Sequence, residues 1–455
     1  MDNERIPENQ EARELFEKGY NAFQQGEYQE GIRFFNRFLE LEPENAEGYF
    51  FRGLLYQSLE KDDQALKDYN EAIRLKPDFL DAYFNRAQTY FELNEHNLAL
   101  SDFNHVLSLN PKLAEGYFSR AELYNEMNLI DKAMSDYNTS IDLNPDVAGF
   151  YYGRGCAYFA EDKLEPALED LNEAIRLDPH SPHSFYQRGM IYGLLQDTEK
   201  AVLDLTQSIH LDPDNVEILK SRAHIYLVEL MDIDKAIEDY NTVLKLDPED
   251  EFSYYQRGQC YDQLEEYEKA IEDYSRAIDM HLEIHELFSC RGIDYFILGE
   301  YEQALEDFNN AILLETNDSL AYFNRGNAFY ELGRHDEAIS DYSKVIQLNP
   351  EVADVYNCRG VAYAERKEFD KALKDFDQAI ELDPEDAEVF FNKGNVYFTL
   401  TEYERCLELY NRALEITPEN PLVFYYRSLV NKQLERYDEA KNDYEQALEL
   451  GFEEE

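Results

Sequence analysis

The feature that most constrains this chain is a small residue that recurs every 34 positions. Apolar residues at helical spacing flank each of these positions, so the chain repeats one structural unit thirteen times. A single step, from Ala223 to Gly258, is 35 residues long. Units with such a period bury their hydrophobic faces by stacking on their neighbours, so added length adds repeats rather than enlarging one core. The recurring small residues are Gly19, Gly53, Ala87, Ala121, Gly155, Gly189, Ala223, Gly258, Gly292, Gly326, Gly360, Gly394 and Ser428.

A second small residue and a proline complete the unit. The second small residue usually follows the first by twelve positions, as Ala65 follows Gly53, and glycine marks the turn between them at Gly299 and Gly333. Proline ends most units, as at Pro77. Because proline cannot continue a helix interior, it marks where the second helix ends. The pattern therefore predicts an all-α fold in which each unit is a pair of antiparallel helices.

The segment from Ala321 to Pro350, AYFNRGNAFYELGRHDEAISDYSKVIQLNP, resembles the tetratricopeptide repeat. All thirteen units resemble it, with Tyr or Phe in place of the family's signature Trp and Lys or Arg where Leu is usual. The resemblance implies an α-solenoid, a right-handed superhelix of antiparallel helix pairs whose first helices line a concave groove. We expect a short polar segment at residues 1–11, the repeats at residues 12–450, and an acidic tail at residues 451–455.

A basic residue precedes the small residue in every repeat, and in most repeats an Asp follows it sixteen positions later. The two repeats without that Asp, with Phe34 and Leu409 in its place, are also the two that have Lys18 and Lys393 instead of Arg. Repeats of one chain act as an internal alignment, so this covariation predicts contact. Arg suits bidentate pairing with a carboxylate, and buried charges are normally paired, which favours ion pairs over an arginine ladder that binds anions. The predicted pairs include Arg86 with Asp102, Arg120 with Asp136, and Arg325 with Asp341.

The chain is strongly acidic, with 97 Asp and Glu against 42 Lys and Arg and a net charge of -55. This charge argues against nucleic acid and anionic membranes and favours basic or neutral protein partners, although it also serves solubility. The five cysteines are an odd number without a close pair, which is typical of a reducing compartment. Without an apolar stretch typical of a signal peptide or membrane helix, we expect a cytoplasmic protein that does not insert into membranes.

The resemblance places five positions of each first helix in the groove: six and three residues before the small residue, and one, four and five after it. Over thirteen repeats these positions hold 18 aromatic residues, 13 acids and three basic residues. The aromatic residues, such as Phe84 and Phe118, could pack on neighbouring helices or stack on a bound peptide, and both interpretations stay open. Acids such as Asp81 and Glu115 would receive Lys or Arg side chains of a peptide.

Repeats five and six contain an uncharged stretch of these positions, and repeat seven adds Lys220 and His224 beside it. Gly149 and Gly193 leave space there, and Met190 can adapt its shape to a ligand. If one peptide-binding hot spot exists, we expect it here, although a variation in packing between repeats explains the pattern equally well. The candidate contacts are Tyr152, Cys156, Phe159, His183, Tyr186, Met190, Lys220 and His224.

Sequence motifs of enzymes are absent: there is no GxSxG, Walker loop, HExxH or dinucleotide fingerprint. We predict neither enzymatic activity nor a cofactor. His281, His285 and Cys290 have a passable metal spacing, but they span a loop and no second ligand pair accompanies them, so no metal site is predicted.

These observations predict a protein-interaction scaffold or adaptor that binds an extended, basic or apolar peptide in an acidic, aromatic groove. A structural assembly subunit, which could self-associate, and a regulatory subunit of an enzyme complex are the alternatives. The position after the second small residue is apolar in twelve repeats and is Lys441 in the last. Because a face without a following repeat should be polar, Lys441 predicts that the array ends there.

Overall fold

Within residues 10–453, which the computed structural model describes, the chain forms 26 α-helices and no strand. The described chain divides into two compact units, and the boundary between Ile225 and Tyr226 falls inside one helix. Within each unit the helices pack in consecutive pairs, and each pair stacks on the next. The predicted all-α repeat fold is confirmed.

The helices of the first unit, and the one that crosses its boundary, come first along the chain. They are α1 (Gln10–Gln24), α2 (Tyr28–Leu41), α3 (Ala46–Gln57), α4 (Asp62–Leu75), α5 (Leu80–Glu92), α6 (His96–Leu109), α7 (Ala114–Glu126), α8 (Ile130–Leu143), α9 (Ala148–Ala160), α10 (Leu164–Leu177), α11 (Pro182–Leu194), α12 (Thr198–Leu211) and α13 (Val216–Val228).

The remaining helices belong to the second unit. They are α14 (Ile233–Leu246), α15 (Glu251–Gln263), α16 (Tyr267–Asp279), α17 (His285–Ile297), α18 (Tyr301–Leu314), α19 (Ser319–Glu331), α20 (His335–Leu348), α21 (Ala353–Glu365), α22 (Phe369–Leu382), α23 (Ala387–Thr399), α24 (Tyr403–Ile416), α25 (Pro421–Gln433) and α26 (Tyr437–Glu449).

The two ends of the chain differ in part from the expected boundaries. The predicted polar segment at residues 1–11 lies outside the described residues except for Gln10 and Glu11, which begin α1 rather than precede it. In the predicted acidic tail, Phe452 folds back and stacks on Tyr425, with ring centroids 4.3 Å apart. The aromatic side chain of the tail is therefore part of the packing of the last repeat.

Local sequence signals start and end many of the helices. The side chains of Asn45, Ser181 and Asp250 each accept a hydrogen bond from a backbone N–H in the first turn of the helix that follows. Helix α4 ends at Leu75, two residues before Pro77. Proline therefore follows the end of the second helix, as predicted.

The recurring small residues let the two helices of a pair approach closely. A Cβ atom added to Gly326 would lie 2.7 Å from the ring of Tyr342, and one added to Gly394 would lie 2.5 Å from the ring of Tyr410. Both tyrosines come from the second helix of the same repeat and are buried. A side chain at either glycine would therefore overlap a ring of the core unless the ring moved.

The first helices form the inner layer of each unit. In the first unit, α1, α3, α5, α7 and α9 each contact the next first helix, and α15, α17 and α21 do the same in the second unit. Over the described residues, no second helix contacts the next second helix to a comparable extent. Successive first helices therefore lie closer together than successive second helices do. The five groove positions of each repeat lie on the first helices.

Candidate functional site

Two of the five groove positions are exposed along the inner layer. These are the positions six residues before and five residues after the small residue, here called the exposed columns. In repeats three and four of the first unit they hold Asp81, Glu92, Glu115 and Glu126, all exposed to solvent. The predicted contacts Asp81 and Glu115 therefore present free carboxylates on this surface.

The aromatic residues three positions before the small residue are instead half-buried. Phe84 packs against Phe103 of its own second helix, with ring centroids 5.9 Å apart. Phe118 packs in the same way on Tyr137 at 5.9 Å and also contacts Phe150 of the next repeat at 5.0 Å. These rings hold helices together, and only one side of each is left for a ligand.

The uncharged stretch of repeats five and six has the same construction. Tyr152 and Phe159 pack on the core around Leu171, and Tyr186 packs on the core around Leu205. Each of these rings is therefore only partly exposed at the surface of the inner layer.

The space beside these rings is open. No described atom lies within 4 Å of a Cβ built on Gly149, and only Ile225 comes within 4 Å of one built on Gly193. Leu194 of the exposed columns is 63% exposed, although an aliphatic side chain is usually buried. The stretch is an uncharged, partly exposed surface that follows the acids of repeats three and four along the chain.

The polar candidates of repeats five to seven differ in their exposure. His183 and His224 are exposed, whereas Cys156 and Met190 are half-buried. Burial raises the pKa of the Cys156 thiol to about 11, so this cysteine stays protonated at neutral pH. Lys220 forms an ion pair with Glu217, with Nζ 2.7 Å from the carboxylate. Its positive charge is therefore partly neutralised on this surface.

In most repeats the recurring Arg and Asp form a bidentate ion pair. Nε and Nη2 of Arg86 donate to the two carboxylate oxygens of Asp102 at 2.7 and 2.8 Å. Arg120 with Asp136 and Arg325 with Asp341 have the same geometry. The aspartate lies in the second helix and the arginine in the first, so the pair ties the two helices of a repeat together.

Each of these arginines also reaches into the preceding repeat, a contact that the sequence analysis missed. Nη1 of Arg325 donates to Oδ1 of Asn309 at 2.6 Å, and Nη1 of Arg86 donates to Oδ1 of Asn70. This contact could have been predicted from the Asn, Ser or Thr that recurs two residues after the aspartate position. The same bond joins Arg52 to Asn36, Arg120 to Asn104, Arg154 to Asn138, Arg188 to Asn172, Arg222 to Thr206, Arg257 to Asn241, Arg291 to Ser275, Arg359 to Ser343 and Arg427 to Asn411.

Repeat twelve places its charge partner differently. Leu409 stands where most repeats have Asp, and Lys393 stands where they have Arg. Nζ of Lys393 lies 2.5 Å from Oδ1 of Asp377, at the position where the preceding repeat usually has Asn. A lysine needs one carboxylate, whereas the planar arginine uses three N–H directions. The ionic contact has moved from within the repeat to the junction between repeats.

Buried tyrosines of the second helices form hydrogen bonds with several polar residues of the inner layer. The hydroxyl of Tyr137 donates to Glu122, and that of Tyr410 donates to Oδ1 of Asn395 at 2.5 Å. Burial raises the pKa of the Glu122 carboxyl above its usual value. Glu122 is therefore a partner of the core rather than a free carboxylate of the groove, unlike Asp81 and Glu115.

Among residues 10–453, no group of three or more His, Cys, Asp or Glu side chains is placed to hold a metal ion. The described helices also include none that is both long and apolar enough to cross a membrane. His285, one of the residues with metal-like spacing, has Nδ1 3.3 Å from a carboxylate oxygen of Asp318.

Models of the tetratricopeptide repeat match the chain over most of its length. One matches residues 80–113, 148–181, 252–281 and 353–386, and a second matches residues 114–147, 182–215, 219–250 and 424–450. Others match residues 16–62 and residues 387–420. A model described as a TPR repeat matches residues 58–94, 292–333 and 326–366. Together these matches span residues 16–450 with short gaps.

Solved structures with similar folds include several repeat proteins. YrrB, described as a TPR protein with an unusual peptide-binding site, is 28% identical over 41% of this chain and 94% of its own, with a TM-score of 0.38. A tetratricopeptide repeat protein from Parabacteroides merdae is 24% identical over 55% of this chain and 98% of its own, with a TM-score of 0.40. The APC/C hetero-tetramer Cut9-Hcn1 is 15% identical over 97% and 96%, with a TM-score of 0.42. No curated protein matches the chain.

Proposed function

Because the chain belongs to the tetratricopeptide repeat family, we propose that it is a protein-interaction scaffold that binds an extended peptide segment along its first helices. The segment carries Lys or Arg residues followed by an apolar side chain. Its basic residues contact the acids of repeats three and four, and its apolar residue contacts repeats five and six.

The observation that carries this proposal is the exposure of acids along the inner layer. Asp81, Glu92, Glu115 and Glu126 are all exposed, and they come from the first helices of two adjacent repeats. Carboxylates at this density attract a basic segment over a distance of about 10 Å at ordinary ionic strength and repel an acidic one. The same charge disfavours nucleic acid and anionic lipid as partners.

The apolar part of the proposal rests on repeats five and six. Leu194 is exposed, the position of Gly149 is open, and Tyr152, Tyr186 and Met190 line the half-buried floor between them. A side chain that covers Leu194 would remove apolar surface from water at roughly 25 cal/mol per Å². His183, Phe159, Cys156, Lys220 and His224 are the further contacts proposed for this surface, and Phe84 and Phe118 are those proposed for the acidic part.

The proposal includes neither catalysis nor a cofactor, and tetratricopeptide repeat proteins are generally non-enzymatic scaffolds. It places the protein in the cytoplasm, because its five cysteines are free thiols suited to a reducing compartment. Self-association and a role as a structural or regulatory subunit remain the alternatives, and a failure to bind peptide would favour them.

The test is binding of a fluorescent peptide library in which Lys and Leu alternate, compared with one in which Glu replaces Lys. We expect the Lys peptides to bind, with an affinity that falls as salt is raised, and the Glu peptides not to bind. The double variant Asp81→Asn, Glu115→Gln should weaken binding by roughly threefold to tenfold, since exposed ion pairs contribute about 0.2–1 kcal/mol each.

The matched control is Asp131→Asn, Glu165→Gln, which removes two exposed carboxylates from second helices. It changes the net charge equally and should leave affinity nearly unchanged. Leu194→Ser tests the apolar part and should weaken binding about tenfold. If the control weakens binding as much as the double variant, the attraction is a general charge effect and the proposed surface is wrong.

A further inference from the structure

A buried aspartate interrupts the apolar contact between repeats eight and nine. Asp294 lies two residues after the small residue Gly292, on α17, and is 1% exposed. None of the other repeats has a charged residue at this position, and most have Leu, Ile, Val or Ala. A carboxyl group here is costly unless it is neutralised or paired.

The group that faces Asp294 is a second carboxyl. Asp262, on α15 of the preceding repeat, accepts a hydrogen bond at Oδ2 from the hydroxyl of Tyr274. No donor among the described residues reaches its other oxygen, Oδ1, or Oδ2 of Asp294, and both atoms are shielded from water. The two carboxyl groups are within hydrogen-bonding reach of each other.

The surroundings supply no cation to this pair. The titratable groups that face it are Tyr255 and Cys260 from α15, Tyr267 and Tyr274 from α16, and Cys290 with Glu286 behind it from α17. All of these are neutral or negative. The nearest packed helices α15 and α17 also carry two arginines, but Arg257 is paired with Asp273 and Asn241, and Arg291 with Asp307 and Ser275. Lys269 and Arg276 of α16 are exposed.

We propose that Asp262 and Asp294 share one proton across the junction of repeats eight and nine, and that the loss of this proton to solvent loosens the junction. With the proton, one carboxyl donates an O–H bond to the other. Without it, two negative charges face each other in a site that excludes water.

The direction of the pH effect follows from burial and from the opposing charge. Burial, together with the charge of Asp262, raises the pKa of Asp294 to about 9. The unfolded or opened segment has the ordinary value of 3.8. Because the closed junction binds the proton more tightly, its stability is fully present below the ordinary value and is lost progressively as the pH rises towards about 9. In this window each pH unit multiplies the opening equilibrium constant by up to about 10.

Two cysteines provide a local measurement with an internal control. Cys290 lies beside the acid pair, and Cys358 occupies the same position, two residues before the small residue, in repeat eleven. Both are half-buried, and burial raises the pKa of each thiol to about 12. Alkylation of the native full-length chain by iodoacetamide, measured for each cysteine by mass spectrometry, reports opening at both junctions. The ratio of the two rates cancels the pH dependence of the thiolate itself.

We expect the ratio of Cys290 to Cys358 alkylation to rise severalfold per unit of pH between about pH 6 and pH 9 in the natural chain. In Asp294→Asn the amide donates the bond that the proton supplied, so the ratio should stay flat. Asp262→Asn should also give a flat ratio, and it serves if the first variant folds poorly. A flat ratio in the natural chain, or an equal rise in both variants, overturns the proposal. Because no peptide is present, failure of the scaffold function would not affect this result.

Discussion

The arginine before the small residue, present in all repeats except one and twelve, contacts both its own repeat and the preceding one. Its guanidinium pairs with an aspartate of its own repeat and with an amide or hydroxyl of the preceding one, as Arg325 does with Asp341 and Asn309. The side chain is 18% exposed, so water does not replace these partners easily. One residue therefore orders both a helix pair and a junction between pairs.

The first prediction tests whether the lysine arrangement of repeat twelve can replace the arginine contacts of another repeat. Asp341→Leu leaves the guanidinium of Arg325 without a carboxylate and should cost about 3–5 kcal/mol of unfolding free energy. The triple variant Asp341→Leu, Arg325→Lys, Asn309→Asp copies the arrangement of repeat twelve and should recover most of that loss. Urea unfolding followed by circular dichroism measures both.

The control for this comparison is Asp341→Leu combined with Arg325→Lys alone, which lacks the new carboxylate and should recover little. If the triple variant is no more stable than this double variant, the position of the carboxylate does not matter. The two arrangements in the natural chain would then not be equivalent solutions.

At the scale of the element, the turn inside each helix pair has one conformation in all thirteen repeats. The residue seven positions after the small residue, or eight in repeat seven, has a positive φ. Only Gly26, Gly299 and Gly333 are glycines, and the other ten repeats place side chains there. Left-handed backbone costs non-glycine residues about 1 kcal/mol, most for a β-branched one. The turns are therefore better conserved in shape than in sequence.

Thr401 is the most strained of these turn residues, with a β-branched side chain at a φ of 62°. We predict that Thr401→Gly raises the unfolding free energy by about 0.5–1 kcal/mol, since glycine adopts this φ without steric cost. The reciprocal change, Gly333→Ala, should lower it by a similar amount although no described atom crowds that site. Thermal unfolding of both variants checks this prediction, and opposite signs would refute it.

At the scale of the whole molecule, the dominant property is the net charge of -55. Folding brings these charges closer together, so self-repulsion opposes the compact state. Exposed ion pairs such as Arg176 with Glu173 stabilise the compact state, but each contributes little. Repulsion among many charges therefore outweighs the attraction of the surface pairs.

We predict that added salt stabilises the protein. Raising the ionic strength from low to physiological values and beyond should raise the unfolding midpoint by roughly 2–5 °C, because screening weakens repulsion more than it weakens the surface pairs. NaCl and KCl should act alike, because screening depends on ionic strength. A midpoint that falls with salt would mean that the ion pairs are the larger contribution.

The sequence by itself determined the features that depend on local spacing. The helix pairs, their small contact points and the prolines after them follow from short-range geometry, and the structure agrees at Gly326, Gly394 and Pro77. The pairing of Arg with Asp could also be predicted, because the thirteen repeats show which residues change together. Within one repeat, position along the chain is enough to define position in space.

Only the tertiary structure decided the features that depend on how repeats stack. Stacking sets which groove positions stay exposed, so Asp81 is free whereas Glu122 is used by a core tyrosine. It also brings Asp262 against Asp294, which lie in different repeats and follow no repeating pattern. The physical reason is that a junction between repeats depends on the side-chain shapes of both neighbours, and a single departure from the pattern has no second example in the chain to reveal its partner.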